Sequence, residues 1–485
     1  MDGHIKEVAK GGGIALIGRA AGVVLAYIFS LLVARLCGAG TYGLFSFVLS
    51  LLLIFGRISS LGLHIAAIKF GSVAAGKGDY SYFKGFLRMM ARLVFISSFL
   101  VSIFFLSMPG TISSFFSKPE LAPYLVLFGL FFPIYILYQT LSESFKAIKR
   151  VDLVILFQNV GLYIFGIVFL VVYFLAGFRF LAPILAYFTT ITFLLAGIVY
   201  IYHKLLPRAR AKKVKFSSVW KVSIPLMFSG ILSVLLVHVD RLMVAYYKTS
   251  VELGYYSAAV RSAIFAGFGL VAINYIFPPI ISQLHSQGKR DEMEKIGRRS
   301  SRWATMFAFT MFFFFLTFGR EFLTFFGKGF DAGYTVLLII SFAYIVNSAV
   351  GSVGFALSMT EYQVDYLILT FLSVIINIFG NILLIPRMGI NGAAIATALS
   401  IFSIKFLSLL IVKKKLGIWL FTEKPLPLLA FLLAYSYFLI YIRNNLPALL
   451  SVIALLLLIP VFLALFTDSQ DRELLKKALA RINIS

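Results

Sequence analysis

Residues 13–63 read GIALIGRAAGVVLAYIFSLLVARLCGAGTYGLFSFVLSLLLIFGRISSLGL. Two apolar runs, 13–34 and 43–63, flank a short turn that carries Arg35, Gly38 and Gly40. Each run is close to the ~20 residues an α-helix needs to cross ~30 Å of hydrocarbon. The pattern repeats along the chain. Further runs fall at 91–109, 121–143, 153–176, 181–202, 218–240, 253–280, 303–326, 334–358, 364–385, 390–412, 425–442 and 447–466, which makes fourteen. The composition agrees. Of the 485 residues, 61% are apolar and 13% charged, against ~45–50% and ~25% in ordinary soluble domains. The mean hydropathy is +0.97. A soluble enzyme, a disulfide scaffold and a disordered chain are excluded, and an all-α integral membrane protein remains. The lone Cys37 can form neither an internal disulfide nor a cysteine-rich metal site.

The net charge of +25 would suggest nucleic acid in a soluble protein. Its placement gives a simpler reading. With the N-terminus inside, 31 of the 44 Lys and Arg fall in inner segments, nine in outer turns, and four within spans. Cytoplasmic loops of membrane proteins collect such cations. The split predicts both termini in the cytoplasm, an even number of spans and no nucleic-acid partner. The outer connections are short, and no separate domain is expected outside the membrane.

The basic stretch near mid-chain, 207–217, reads as a linker. Arg179 and Arg387 lie in short outer turns 208 residues apart, each followed by an Ala-containing span that ends in lysine, at Lys204 and Lys413. This repeat predicts an N-terminal lobe over 1–206 and a C-terminal lobe over 218–415. The six-span lobes are related by a parallel pseudo-two-fold. Residues 416–485 supply two further spans and a tail. Paired bundles of this kind commonly enclose a central site whose access alternates.

Catalytic signals are missing. His4, His64, His203, His238 and His285 are scattered, and no nucleophile elbow, P-loop or zinc-protease motif occurs. The outer turns are too small for a membrane glycosyltransferase or polymerase, so a transporter rather than an enzyme is expected. The charges inside the spans are more informative. A cation in the hydrocarbon costs at least ~2.5 kcal/mol on insertion scales. Arg19, Arg57 and Lys405 sit about six residues from the inner ends of their spans, at a depth of ~9 Å. Arg261 lies deeper, at ~12 Å from the outer end. Snorkelling to the headgroups is one reading. The other is a water-filled cavity for an anion, with phosphate well matched to the arginine fork. A second cluster is polar. Asn377 and Asn381 share a helix face, Thr397 lies on the next span and Asp240 near the end of the seventh. Such hard oxygen ligands suit Na⁺; interhelical hydrogen bonding is the competing reading. Gly18 and Gly22 have the spacing of close helix packing.

Three stretches carry a family resemblance. They are Arg19-Ala20-Ala21-Gly22 with Ala34-Arg35-Leu36-Cys37-Gly38 and Tyr42-Gly43; Val239-Asp240-Arg241 with Gly254-Tyr255-Tyr256-Ser257-Ala258-Ala259; and Ile385-Pro386-Arg387-Met388-Gly389-Ile390-Asn391-Gly392-Ala393-Ala394. Together they resemble polysaccharide flippases of the MOP superfamily, over residues ~10–465. The resemblance implies alternating access in a V-shaped pair of lobes and outward movement of a polyprenyl-diphosphate-linked oligosaccharide across the cytoplasmic membrane, by a protein expected to be monomeric. The similar lipid II flippases have cavity arginines on helices 1, 2 and 8, where Arg19, Arg57 and Arg261 fall; Lys405 is a further candidate. They also have a sodium site from helices 7, 11 and 12, matched by Asp240, Asn377, Asn381 and Thr397. Asn381 stands where some relatives have a carboxylate. A multidrug exporter of the same superfamily is the alternative, and would be expected to have twelve helices and cavity carboxylates.

Overall fold

The computed structural model describes residues 2–206, 211–212, 214, 216–274 and 277–421. The helices are α1 (Asp2–Cys37), α2 (Ala39–Ser59), α3 (Leu63–Gly76), α4 (Tyr80–Ser107), α5 (Pro109–Phe115), α6 (Ala122–Ser144), α7 (Val151–Ile155), α8 (Leu162–Leu175), α9 (Ala182–Leu205), α10 (Phe216–Tyr247), α11 (Ser250–Ile273), α12 (Phe277–Ser286), α13 (Arg290–Thr324), α14 (Tyr334–Val350), α15 (Val353–Ser358), α16 (Gln363–Met388) and α17 (Ile390–Leu416). No strand occurs among the described residues. Hydrocarbon offers a peptide group no partner, so a spanning segment must satisfy its own backbone, and a helix does so.

Twelve segments among the described residues are long and apolar enough to span, beginning with Gly18–Cys37 and ending with Ile390–Leu416. They coincide with the first twelve runs of the sequence. The two remaining runs, 425–442 and 447–466, lie outside the described residues. Many large apolar side chains point outward. On α4 these include Phe95, Ile96, Phe99, Leu100 and Ile103. A soluble protein would associate through such a face, whereas lipid accepts it. The long α13 begins with the charged stretch Arg290–Arg302 and turns apolar only beyond it, so its first turns project past the spanning region at the basic end.

In the first half, α4 packs on α6, α6 on α9 and α8 on α9. In the second, α16 packs on α17, α13 on α14 and α14 on α17. The halves meet along α2, which packs against both α10 and α11. Glycine makes that contact close. A Cβ on Gly43 would lie 2.0 Å from the Ser250 carbonyl oxygen, and one on Gly254 would lie 2.2 Å from that of Ala39. Small residues at such a crossing let backbones touch.

Beside this crossing Lys118, counted from the sequence in an open outer turn, is buried at 5% exposure. Its ammonium donates to the carbonyls of Phe116, Ala245 and Lys248, the last at 2.6 Å. It thereby caps the C-terminus of α10 from the other half, a place where cations are favoured. Burial pushes its ammonium pKa down. Ser250 adds a hydrogen bond to Glu120 at 2.8 Å. At the basic end, Lys212 pairs with Asp79 at 2.9 Å, and its amide donates to the Ser81 carbonyl. The Lys212 ammonium holds the Asp79 carboxyl below its ordinary pKa, while Asp79 also accepts from the Tyr82 amide and caps α4.

The crossing sets a stability prediction. Gly43→Ala should force α2 and α11 apart and lower unfolding stability in detergent by about 1–3 kcal/mol, as overpacking does. Gly110→Ala, where a Cβ meets nothing within 4 Å, should be neutral or slightly stabilising. Equal thermal unfolding of the two variants would contradict the contact.

Candidate functional site

Two cavities lie where α1, α2, α10 and α11 come together with the helices after residue 155. One, of about 170 Å³, is lined by Tyr42, Ser46, Ser50, His238, Arg241 and Arg261 among others. The other, of about 190 Å³, is lined by Gly22, Tyr27, Gln158, Asn159, Arg261 and Phe265 among others. They share Arg261 and Tyr163. Among the described residues, no carboxylate lines either one.

Arg261, half-buried on α11, is the cavity cation that the sequence singled out. No hydrogen bond or ion pair engages its guanidinium among the described residues. Arg241 is a second cavity cation, which the charge count had assigned to an outer turn. The seventh run was ended at residue 240, but α10 continues to Tyr247, so Arg241 is held inside the protein at 9% exposure. Its Nη1 donates to the Val237 carbonyl at 3.1 Å and to His238 Nδ1 at 3.0 Å, while Nε and Nη2 have no acceptor among the described residues. An arginine only donates, so His238 accepts at Nδ1 and carries its proton on Nε2. Ser50 Oγ lies 3.3 Å from the same Nδ1, which links α2 to α10. The extension of α10 was the signal for Arg241: a run that continues through Val239-Asp240-Arg241-Leu242-Met243-Val244 has no turn residue to end it.

The other predicted cations lie elsewhere. Arg57 Nη1 donates to His64 Nε2 at 2.7 Å, and its aliphatic stem faces Gly230 of α10. Arg19 lies about one turn before Gly22, the first of the α1 residues that line the 190 Å³ cavity. Lys405 is placed within the second half, where its Nζ donates to the Gly351 carbonyl at 3.0 Å. It thus completes the end of α14, and it lines neither central cavity.

The four polar residues of the second cluster are brought together. Asp240 is 3% exposed and Asn377 and Asn381 are fully buried. Asp240 Oδ1 accepts the Arg241 amide at 2.8 Å, and Oδ2 accepts the hydroxyl of Tyr256 from α11. That hydroxyl also faces Thr397. Thr397 lies 3.4 Å from Asn377 Nδ2, and Asn377 Oδ1 accepts from Asn381 Nδ2 at 2.9 Å. Tyr256 is the member that the sequence reading missed. Consecutive residues of α10 thus serve different places: Asp240 joins the polar cluster and Arg241 the cavity.

A hydrogen-bonded network accounts for most of these atoms, but one stays open. Asn381 Oδ1 is buried without a partner. Hard oxygens around such an orphan acceptor fit a small monovalent cation, and a cation binding at Asp240 Oδ2 would displace the Tyr256 hydroxyl. No group of three or more His, Cys, Asp or Glu that could hold a transition metal occurs among the described residues.

Among the described residues, twelve spans in two packed halves, with a cationic cavity between them, define a polytopic membrane protein. The chain belongs to the polysaccharide biosynthesis protein family, whose model matches residues 8–285; a MatE model matches residues 225–383. Among curated relatives, the "Capsular polysaccharide biosynthesis protein CapF" of Staphylococcus aureus is 27% identical over 39% of this chain. The "Probable low-salt glycan biosynthesis flippase Agl15" of Haloferax volcanii is 30% identical over 33% of it. These matches span 48% and 34% of the two relatives. Among solved structures, the lipid II flippase MurJ in an inward closed conformation superposes with a TM-score of 0.74 at 13% identity, covering 93% of this chain and 98% of that one. An inward-facing multidrug transporter of the MATE family gives 0.65 at 12% identity, covering 83% and 98%. The superfamily expected from the three sequence stretches is borne out.

The Asp240–Tyr256 bond sets the second prediction. Tyr256→Phe leaves a buried carboxylate oxygen without its donor and should cost about 1–3 kcal/mol of unfolding stability. Tyr163→Phe removes a hydroxyl with no hydrogen-bond partner among the described residues and should stay within about 0.5 kcal/mol of the parent. Denaturant unfolding of both variants in detergent measures the difference.

Proposed function

We propose that the protein is a flippase for a polyprenyl-diphosphate-linked oligosaccharide, moving it outward across the cytoplasmic membrane by alternating access between the two halves. The observation that carries this reading is the pair of guanidinium groups, Arg241 and Arg261, in a cavity without carboxylates. A cation buried in an apolar protein is costly unless an anion completes it, and arginine matches phosphate through forked hydrogen bonds. An exporter of organic cations would need the opposite lining. The curated relatives whose names refer to polysaccharide or glycan biosynthesis support the same substrate class.

Arg19 and Arg57, toward the basic end, are assigned the arriving diphosphate, and Arg261 with Arg241 its later positions. The charge split of 31 against nine favours cytoplasmic termini. Lys118 and Arg241, two of the nine outer cations, are buried within the protein, which lowers the number exposed on the outer side. The division into lobes over 1–206 and 218–415 with a linker at 207–217, and a monomeric working unit, belong to the same proposal.

Export of lipid-linked glycan in cells carrying Arg241→Lys or Arg261→Lys tests the reading, with membrane protein levels checked. Each variant loses forked, charge-assisted bonds worth ~1.5–3 kcal/mol, so export should fall roughly ten- to a hundredfold. Normal export from both variants would overturn the substrate assignment.

The polar cluster is assigned a coupling Na⁺, held by Asp240, Asn377, Asn381 and Thr397. The open Asn381 Oδ1 supports this assignment. An ion shifts the balance of two states only through its different affinity for them. Sodium should therefore stimulate transport by the parent protein and leave Asp240→Asn unaffected. Transport by the parent that ignores sodium would leave hydrogen-bonded packing as the whole role of the cluster.

A further inference from the structure

Between α7 and α8 the backbone leaves the α-helical register. Residues Leu156–Gly161 form a π-helical turn. Such a turn inserts one residue into a helix, shifts the direction of the side chains around it, and occurs frequently at functional sites. A glycine within the turn and three residues around it accommodate it. Gly161 has no Cβ, and one would lie 2.6 Å from the Leu156 carbonyl oxygen. The hydroxyl of Tyr138 donates to the Phe157 carbonyl at 2.8 Å. On α1, Gly18 and Gly22 leave room for Ile155 and Asn159; a Cβ on Gly22 would lie 2.6 Å from that of Asn159. The glycine spacing read from the sequence as a packing signal therefore receives this turn.

The widened turn places two adjacent amides, Gln158 and Asn159, on the wall of the 190 Å³ cavity. Asn159 makes no hydrogen bond within the described protein. Gln158 uses only its Nε2, in a long 3.4 Å contact to the Gln139 carbonyl. Tyr27, Tyr163 and Phe265 add aromatic surface to the same cavity. Amides that both donate and accept, set beside aromatic faces, match the alternating hydroxyls and apolar ring face of a sugar. Arg261 and Tyr163 border this cavity and the Arg241 cavity alike. A ring in the first cavity thus has its anomeric substituent beside Arg261, the cation that both cavities share.

We propose that Gln158 and Asn159, presented by the π-helical turn Leu156–Gly161, form a subsite for the sugar attached directly to the diphosphate. This proposal rests on the flippase reading, which supplies the diphosphate bound at Arg241 and Arg261. Selectivity for a glycosylated over a bare lipid diphosphate then comes from the first half of the protein, and affinity for the anion from the second.

The test uses the purified full-length protein and three probes: farnesyl diphosphate, and farnesyl diphosphate carrying glucose or N-acetylglucosamine. Binding is read by titration in detergent. The parent protein should bind at least one glycosylated probe roughly five- to twentyfold more tightly than the bare diphosphate, the return from two or so added hydrogen bonds. Asn159→Ala and Gln158→Ala should bring that ratio toward one while leaving the Kd of the bare probe unchanged, which also confirms that each variant is folded. Arg261→Lys should weaken all three probes alike. Equal binding of the three probes by the parent overturns the subsite and leaves the flippase reading intact. So does an unchanged ratio in both amide variants, or an equal loss for all probes, which would make the amides mere supports for Arg261. Failure of the parent to bind any probe overturns the flippase reading and the subsite with it.

Discussion

In hydrocarbon, an unpaired peptide group finds nothing to bond with, and the rest of this structure follows from that. Helix is the form each span can take alone, so the spans differ in how they meet and not in what they are. Individuality is confined to the crossings. Where α2 meets α11, glycine brings backbone against backbone. Where α1 meets the π turn, Gly18 and Gly22 receive Ile155 and Asn159. The π turn departs from simple helix, and Tyr138 supplies a hydrogen bond to its Phe157 carbonyl.

The same medium governs the charges. A cation buried inside the protein needs an acceptor or water, and the structure answers in two ways. Lys118 and Lys405 find carbonyls at helix ends, Ala245 and Lys248 for one and Gly351 for the other. Arg241 and Arg261 instead open onto a cavity. A lysine with its three donors can saturate a helix terminus, whereas the flat guanidinium presents two edges and keeps one free. On α10, Asp240 and Arg241 are neighbours in sequence, yet the carboxylate is turned to Tyr256 and the guanidinium to His238. Their side chains form no ion pair with each other among the described residues, and each has its own hydrogen-bond partners.

The fold was legible because the hydrophobic run is the strongest signal a sequence carries, and the first twelve runs all correspond to spans. Arg261 was legible for a related reason: an arginine far from either end of a run has no easy route to the headgroups. Arg241 was lost to a boundary error of a few residues, which moved it from the protein interior to a turn. Lys405 looked like a cavity cation because its acceptor is 54 residues away in sequence, and nothing local announces a helix end at that distance. Of the polar cluster, the four residues spread over three spans were legible as hard ligands, but Tyr256 is one of two adjacent tyrosines and nothing local marks which of them meets Asp240. The π turn left no trace in periodicity, since one inserted residue barely shifts a run that is apolar on every side.

Lys118 has a further consequence. One half of the molecule ends a helix with carbonyls that only the other half completes. If the halves part at that end, the ammonium and its acceptors are stranded together unless solvent reaches them at once. Separation there is therefore cheap in a wet cleft and expensive in a dry one. Hydration, rather than mechanical leverage, becomes the quantity that times the parting, and the lysine acts as a moisture-sensitive seal.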